Sequence, residues 1–324
     1  MQTKTTSIFR TAWESVISPR IEKLSWLTAG ELTRLSWAKA VESYDKVPEI
    51  YKDFFKTLLG DTSVFPYAVL TPTFEGFIRR DNEKLIFSLG SKIYVLERAR
   101  DKLTSTCYPF EAISYIEVGA ILLNSWIKIR GVASNGILTS CTLKFNSVTD
   151  YLFTPILEKI RTATHTVGDT DPSSERAKFD YLVHLNFKFM NYARRSIVPG
   201  EKVIHTILQP EIRAKILMLF GRSWFRTIST SHLVILTDRQ LIIIKDENPG
   251  GWGDNTRYGG IWNYIPLDKI ASVSLAEKGD NLLALSIHLP QNDQIDSLFS
   301  VSNKQEVELF LNRLEFSKLF GKKG

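Results

Sequence analysis

The sequence predicts a mainly β fold of the α+β class, with two similar modules of antiparallel strands in tandem. Each module is capped by a C-terminal helix, and a helical extension precedes the pair. Three observations carry this expectation. Beyond residue 64 the chain is dominated by short runs rich in Val, Ile, Leu and aromatic residues, separated by turn formers. Each series of runs closes on a stretch with helical spacing. The two series also align with one another.

Composition sets the frame. The chain has 324 residues, 44% of them hydrophobic and 23% charged, as expected of an ordinary globular protein. Disorder over most of the length is excluded, because this content supplies enough apolar surface for packed cores. Cys107 and Cys141 are too few for a disulfide framework and lack metal-ligand spacing. No uncharged apolar run approaches the roughly 18 residues that span a bilayer, and the start of the chain lacks a signal-like apolar core. A cytoplasmic protein is expected. The net charge of +6 is mild for this length, so clustering of charge matters more than its sum.

Residues 1–62 read as helices. Thr28 and Glu31 have the spacing of a capping box, and the pattern LTRLSWAKAVESY continues at helical spacing. A second start at Pro48 runs through Tyr51, Phe55 and Leu58 and stops at Gly60. The apolar stripe of these helices suits a neighbouring domain, another chain or a membrane. From residue 64 to 163 come the runs YAVL, KLIFSLG, KIYVLER, AISYIEV, SWIKIRG and ILTSCTLKF, then a helix over 148–161. Pro155 inside that helix predicts a kink or a restart. The segment 164–198 is expected to be a linker, THTVGDTDPSSER, followed by a connecting helix. Asp169 and Asp171 there lack the remaining ligand spacing of a calcium loop. Strand-like runs return over 199–318 as EKVIHTIL, HLVILT, QLIIIKD, IWNYIPL, KIASVSLA, LLALSIHL and QIDSLFSV, and end in the helix KQEVELFLNRLEF.

Three anchors define the repeat. LIFSLGSKIYVL from Leu85 matches LVILTDRQLIII from Leu233 at an offset of 148. YPFEAISYIEV from Tyr108 matches IPLDKIASVSL from Ile265 at 157, with Pro109 meeting Pro266. ILEKI from Ile156 matches FLNRL from Phe310 at 154. The jump between the first two falls in the glycine-rich stretch 246–260, where a loop insertion is tolerated.

The order of these motifs, a hairpin LVILTDRQLIII, a looser loop, a strand IPLDKIASVSL and a closing helix, resembles bacterial pleckstrin-homology-like domains near the GRAM group. That resemblance implies two small antiparallel barrels. It covers the second module directly and the first mainly through the repeat. Its motifs are structural, so they say little about function.

No catalytic constellation is evident. His165, His184, His205, His232 and His288 are scattered, without an i,i+4 pair. The glycines at 250, 251, 253, 259 and 260 lack the Lys-Ser or Lys-Thr of a phosphate loop and lead into a strand. Neither cysteine sits in an activating setting. No metal and no cofactor are expected. The strongest candidate is PEIRAKILMLFGRSWFRT, residues 210–227, which carries four basic residues and no acid between Ile212 and Arg226. As a helix it sets Phe220 and Trp224 on an apolar side, with Lys215, Arg222 and Arg226 on the flank. That is the make-up of an interfacial membrane helix. The resemblance points the same way, since lipid-binding members keep basic headgroup contacts near their first hairpin. Trp252, in the glycine-rich loop, is a further candidate contact. The expected function is binding or scaffolding rather than catalysis, with an anionic membrane surface at the inner face or a protein as partner. The alternatives are an adaptor acting through the N-terminal helices and an enzyme with a site between the modules. Trp224 and Phe225 beside Arg222 and Arg226 can also stack on bases, but no nucleic-acid module accompanies them.

Overall fold

The computed structural model describes residues 28–60, 64–75, 80–100, 102–163, 171–219, 222–247, 259–279 and 281–320. The capping box at Thr28 forms: the Thr28 amide donates to Glu31 Oε2 at 2.8 Å and the Glu31 amide to Thr28 Oγ1 at 3.3 Å. The helix it opens, α1 (Ala29–Arg34), is much shorter than its sequence pattern suggests. The chain turns where Ser36 O accepts from the Asn146 amide and the Ala38 amide donates to Thr149 Oγ1. Lys39–Val41 then becomes β1. A short helix gains little by itself, and here a sheet edge competes for the same residues. After a 3-10 turn over Tyr44–Lys46, α2 (Glu49–Leu59) starts behind Pro48 and ends at Gly60, whose φ is +60°.

The first series of strands is β2 (Ala68–Thr71), β3 (Phe74–Glu75), β4 (Arg80–Asp81), β5 (Glu83–Leu89), β6 (Lys92–Ala99), β7 (Lys102–Pro109), β8 (Ile113–Ile121), β9 (Asn124–Val132) and β10 (Leu138–Asn146). β1, β2, β5, β6 and β7 form one antiparallel sheet in that order. Its inner face, with Val69, Ile86, Ile93 and Val95, packs on Ile116, Ile127, Ile129 and Leu143 of β8–β10. Phe153, Ile156 and Ile160 cover this core. They come from a 3-10 turn (Ser147–Phe153) and from α3 (Thr154–Thr162), which restarts with Pro155 in its first turn as the sequence predicts. The outer face is also buried, because Tyr51 and Phe55 of α2 pack on Ala68, Leu85, Phe87 and Leu96. Hence β5 is buried from Lys84 to Ser88 without alternation.

Part of the expected linker is ordered structure. Asp171 caps α4 (Pro172–Ala177), accepting from the Ser173 amide at 2.9 Å, and buried Glu175 accepts from the Val203 amide. A 3-10 turn over Asp180–Val183 leads to α5 (Phe187–Ser196). The second series is β11 (Val203–Gln209), β12 (Ile212–Leu219), β13 (Arg222–Ser229), β14 (His232–Thr237), β15 (Gln240–Lys245), β16 (Gly259–Pro266), β17 (Ser272–Glu277), β18 (Leu282–His288) and β19 (Gln294–Ser300). It closes with a 3-10 turn over Val301–Asn303 and α6 (Lys304–Phe320).

The second series copies the first. β11, β14, β15 and β16 pair as β2, β5, β6 and β7 do, and β17–β19 correspond to β8–β10. The repeat reaches further back than the sequence anchors. α5 covers the outer face of β14 and β15 through Phe189, Met190 and Ala193, just as α2 covers β5 and β6. Tyr51, Phe55 and Val69 match Phe189, Ala193 and Ile207 at one constant offset.

The sheets are open. Among the described residues none closes into a barrel, contrary to the expectation from resemblance. In its place, β16 of the second series pairs with β8 of the first, from Gly259–Ile121 to Tyr264–Ile116. The result is a seven-stranded sheet ordered β10-β9-β8-β16-β15-β14-β11, which runs through both modules. The Arg130 guanidinium adds a two-pronged bond to Asp293, at 2.6 and 2.9 Å.

Candidate functional site

The segment 210–227 is a β-hairpin, not the amphipathic helix that its periodicity suggests. β12 and β13 pair from Ile212–Ser229 to Leu219–Arg222, and among the described residues with no other strand. Two strand-like runs of equal length meet around Gly221, and the second, RSWFRTIS, is rich in β formers. Those were the signals for a hairpin, and a continuous apolar run hides them because it suits either period. The ladder shifts register between Lys215 and Leu217 and between Ile212 and Arg213, and such bulges tighten the twist of a two-stranded ribbon. At the base, Glu211 accepts from Arg213 at 2.7 Å and from the Thr227 hydroxyl.

This geometry redistributes the expected site. Arg222, Trp224 and Arg226 alternate along β13 and share one face, with Trp224 opposite Leu217 and Arg226 opposite Ala214. Lys215 lies opposite Phe225, on the other face. The side chains of Lys215 and Arg222, and the whole of Phe220 and Trp252, fall outside the described residues. Those described are exposed: Trp224 by 47%, Phe225 by 58% and Ile228 by 41%. The sequence singled out Phe225 only for stacking on bases and did not single out Ile228, yet both present apolar surface comparable to that of Trp224. Arg226 is exposed as well and has no ion pair among the described residues. The corresponding excursion of the first module, β3 and β4 between β2 and β5, has two residues per strand among the described residues.

A second concave feature lies where the modules meet. Ile113, Ile116 and Ile160 face Tyr264 and Pro266 there, with Arg161, Arg239 and Lys269 beside them. The enclosed space is about 20 Å³, room for a single water. Arg161 sits 3.9 Å over the Tyr264 ring and 3.7 Å from Glu201 Oε2. Glu201 Oε1 in turn accepts from the Thr237 hydroxyl and from Gln240 Nε2, both at 2.7 Å. Arg161 also donates to Ser196 O. The cluster therefore ties α3, α5 and β14–β15 together, with the buried Arg161 and Glu201 charges paired.

The titratable residues singled out by sequence are dispersed. His232 is buried against Phe299, its Nδ1 3.1 Å from Thr230 O, and burial pushes its pKa down to about 4. Burial, and then the nearby Arg313 charge, also lower His205. His288 Nε2 is 2.9 Å from Ser274 Oγ, and His184 is exposed. The Cys141 thiol is pushed up to about 12 by burial, which opposes thiolate chemistry. Asp171 is the helix cap described above, and Asp169 and His165 lie outside the described residues. Among the described residues no group of three His, Cys, Asp or Glu is placed to hold a metal. Nor is any described helix long and apolar enough to cross a membrane.

Fold and site together define a mainly antiparallel β protein, duplicated internally, that projects one basic and aromatic hairpin. Compared with known proteins, the chain matches no family model and no curated sequence.

Proposed function

We propose that this chain is a binding protein rather than an enzyme, and that it docks on anionic membrane surfaces through the β12–β13 hairpin. The observation that carries this reading is the hairpin's isolation. A ribbon paired with no third strand is marginal in water, yet this one holds Trp224, Phe225 and Ile228 in solvent next to Arg226. Around its turn the sequence reads KILMLFGRSWF, an apolar stretch bracketed by positive charge.

Such a ribbon suits the headgroup region. Its unpaired backbone edges forbid deep insertion, since each bare amide is costly in hydrocarbon. Its aromatic side chains favour the interface, and each basic residue near anionic lipid contributes on the order of 1 kcal/mol. The tandem modules are read as pleckstrin-homology-like scaffolds. Supporting this are the twice-used order of four strands, three strands and a helix, and the turn LTDRQLI between β14 and β15. The protein would then work at the inner face of the membrane.

The test is co-sedimentation with neutral and anionic vesicles at low and high salt. Binding should be confined to anionic vesicles and weaken with salt. The triple variant Lys215→Ala, Arg222→Ala, Arg226→Ala should lose most of it. The double variant Trp224→Ala, Phe225→Ala should lose the salt-resistant remainder. If the unmodified chain ignores anionic vesicles at low salt, the membrane reading is wrong, and pull-down with the N-terminal segment becomes the next experiment.

A further inference from the structure

The duplication that joins the two modules leaves the same joint open at both ends of the molecule. β8, the first strand of the three-stranded unit in module one, pairs with β16, the last strand of the four-stranded unit in module two. Their counterparts are β17 and β7. The equivalence is structural as well as sequential. Pro109 and Pro266 both end their strands and lead into 3-10 turns, Phe110–Ala112 and Leu267–Lys269. The first residue of each turn donates back to the preceding hairpin, Phe110 to Ser91 O and Leu267 to Arg239 O.

Among the described residues both counterparts are terminal strands, each paired with one other strand. Their protection is light: Lys102 opens β7, Glu277 ends β17, and the Ser134 amide covers one β7 carbonyl. Neither has a proline before its last residue. Their exposed positions are mostly small and neutral: Thr104 and Ser105 on β7, and Ser272, Ser274 and Ala276 on β17. The Cys107 carbonyl accepts from the Ser134 amide outside the β6 ladder. Alternation along an antiparallel strand therefore turns Ser105 and Leu103 outward too, with their amides directed away from β6.

We propose that β7 of one copy pairs antiparallel with β17 of a second copy, repeating between chains the β8–β16 joint found within each. Carrying the internal register across sets Leu103 opposite Glu277, Thr104 opposite Ala276, Ser105 opposite Leu275 and Thr106 opposite Ser274. The contact is heterologous, so chains add head to tail and either close into a ring or extend. The ladder is short, so assembly depends on protein concentration.

The test needs no lipid and is independent of the membrane reading. Sedimentation of the full chain over a concentration series should show species heavier than a monomer. Ser105→Pro, which removes an outward amide and no β6 ladder bond, should return the mass to that of a monomer while leaving the folded circular dichroism spectrum in place. In a Cys107→Ser background, Thr104→Cys and Ala276→Cys chains should crosslink to each other on mixing under mild oxidation, and neither should crosslink to itself. A monomer at every concentration overturns the proposal. So does self-crosslinking of the Thr104→Cys chain, which means β7 meets β7, or a Ser105→Pro chain that is folded and still assembles.

Discussion

At the scale of single residues, His232 shows how burial converts to pH dependence. Its ring is enclosed beside Phe299, its Nε2 has no partner among the described residues, and its folded pKa is about 4 against an ordinary 6.5. The unfolded chain takes up this proton first, so the stability associated with neutral His232 is lost as pH falls from about 6.5 toward 4. At pH 5 the loss should be about 2 kcal/mol. Urea midpoints at pH 7 and pH 5 check this: the drop should be smaller in His232→Gln by roughly that amount. An equal drop in both proteins would remove His232 as the cause. His205 acts in the same direction, its pKa being lowered by burial. None of this was legible beforehand, because histidine spacing says nothing about which ring a core encloses. The capping residues were legible: Thr28 and Glu31 act within one turn, where sequence neighbours are spatial neighbours.

At the scale of elements, the closing helices are the parts that each module's core relies on. Phe310 of α6 is fully buried among Val307, Leu314 and the inner faces of both sheets of its module, whereas Phe316 on the same helix is 61% exposed. Phe310→Ala should destabilise by about 3–5 kcal/mol, the usual cost of emptying a core aromatic site. Phe316→Ala should change stability by less than about 1 kcal/mol. Denaturant unfolding of the two variants side by side decides the matter, and similar losses would mean that α6 is not seated as described. The strands beneath it were readable almost to the residue: HLVILT is β14 and QLIIIK is β15. β-branched runs bounded by turn residues leave little choice. The hairpin β12–β13 was not readable as such, and neither was β1. In both, helical spacing was present, but pairing to a neighbouring strand outweighed it.

At the scale of the whole molecule, the joint between modules depends on glycine at the start of β16. Gly259 has φ +155°, and a Cβ there would lie 2.1 Å from Ala120 O. Gly259→Ala should therefore break the β8–β16 ladder at its Ile121 end and loosen one module from the other. Hydrogen exchange should show lost protection along β8 and β16 while the separate cores stay protected. Unchanged protection there would mean that the ladder tolerates the change.

The sequence alone settled the mainly β composition, the duplicated order of strands and closing helices, the restart at Pro155 and the basic, aromatic character of residues 210–227. These depend on period, turn chemistry and capping, all of which act over a few residues. Tertiary structure decided that residues 210–227 pair as a ribbon, that α2 and α5 lie on outer sheet faces and that one sheet runs through both modules. An edge strand advertises only backbone amides and carbonyls, which are alike in every residue but proline. Which two edges meet is fixed by the packing that brings them together.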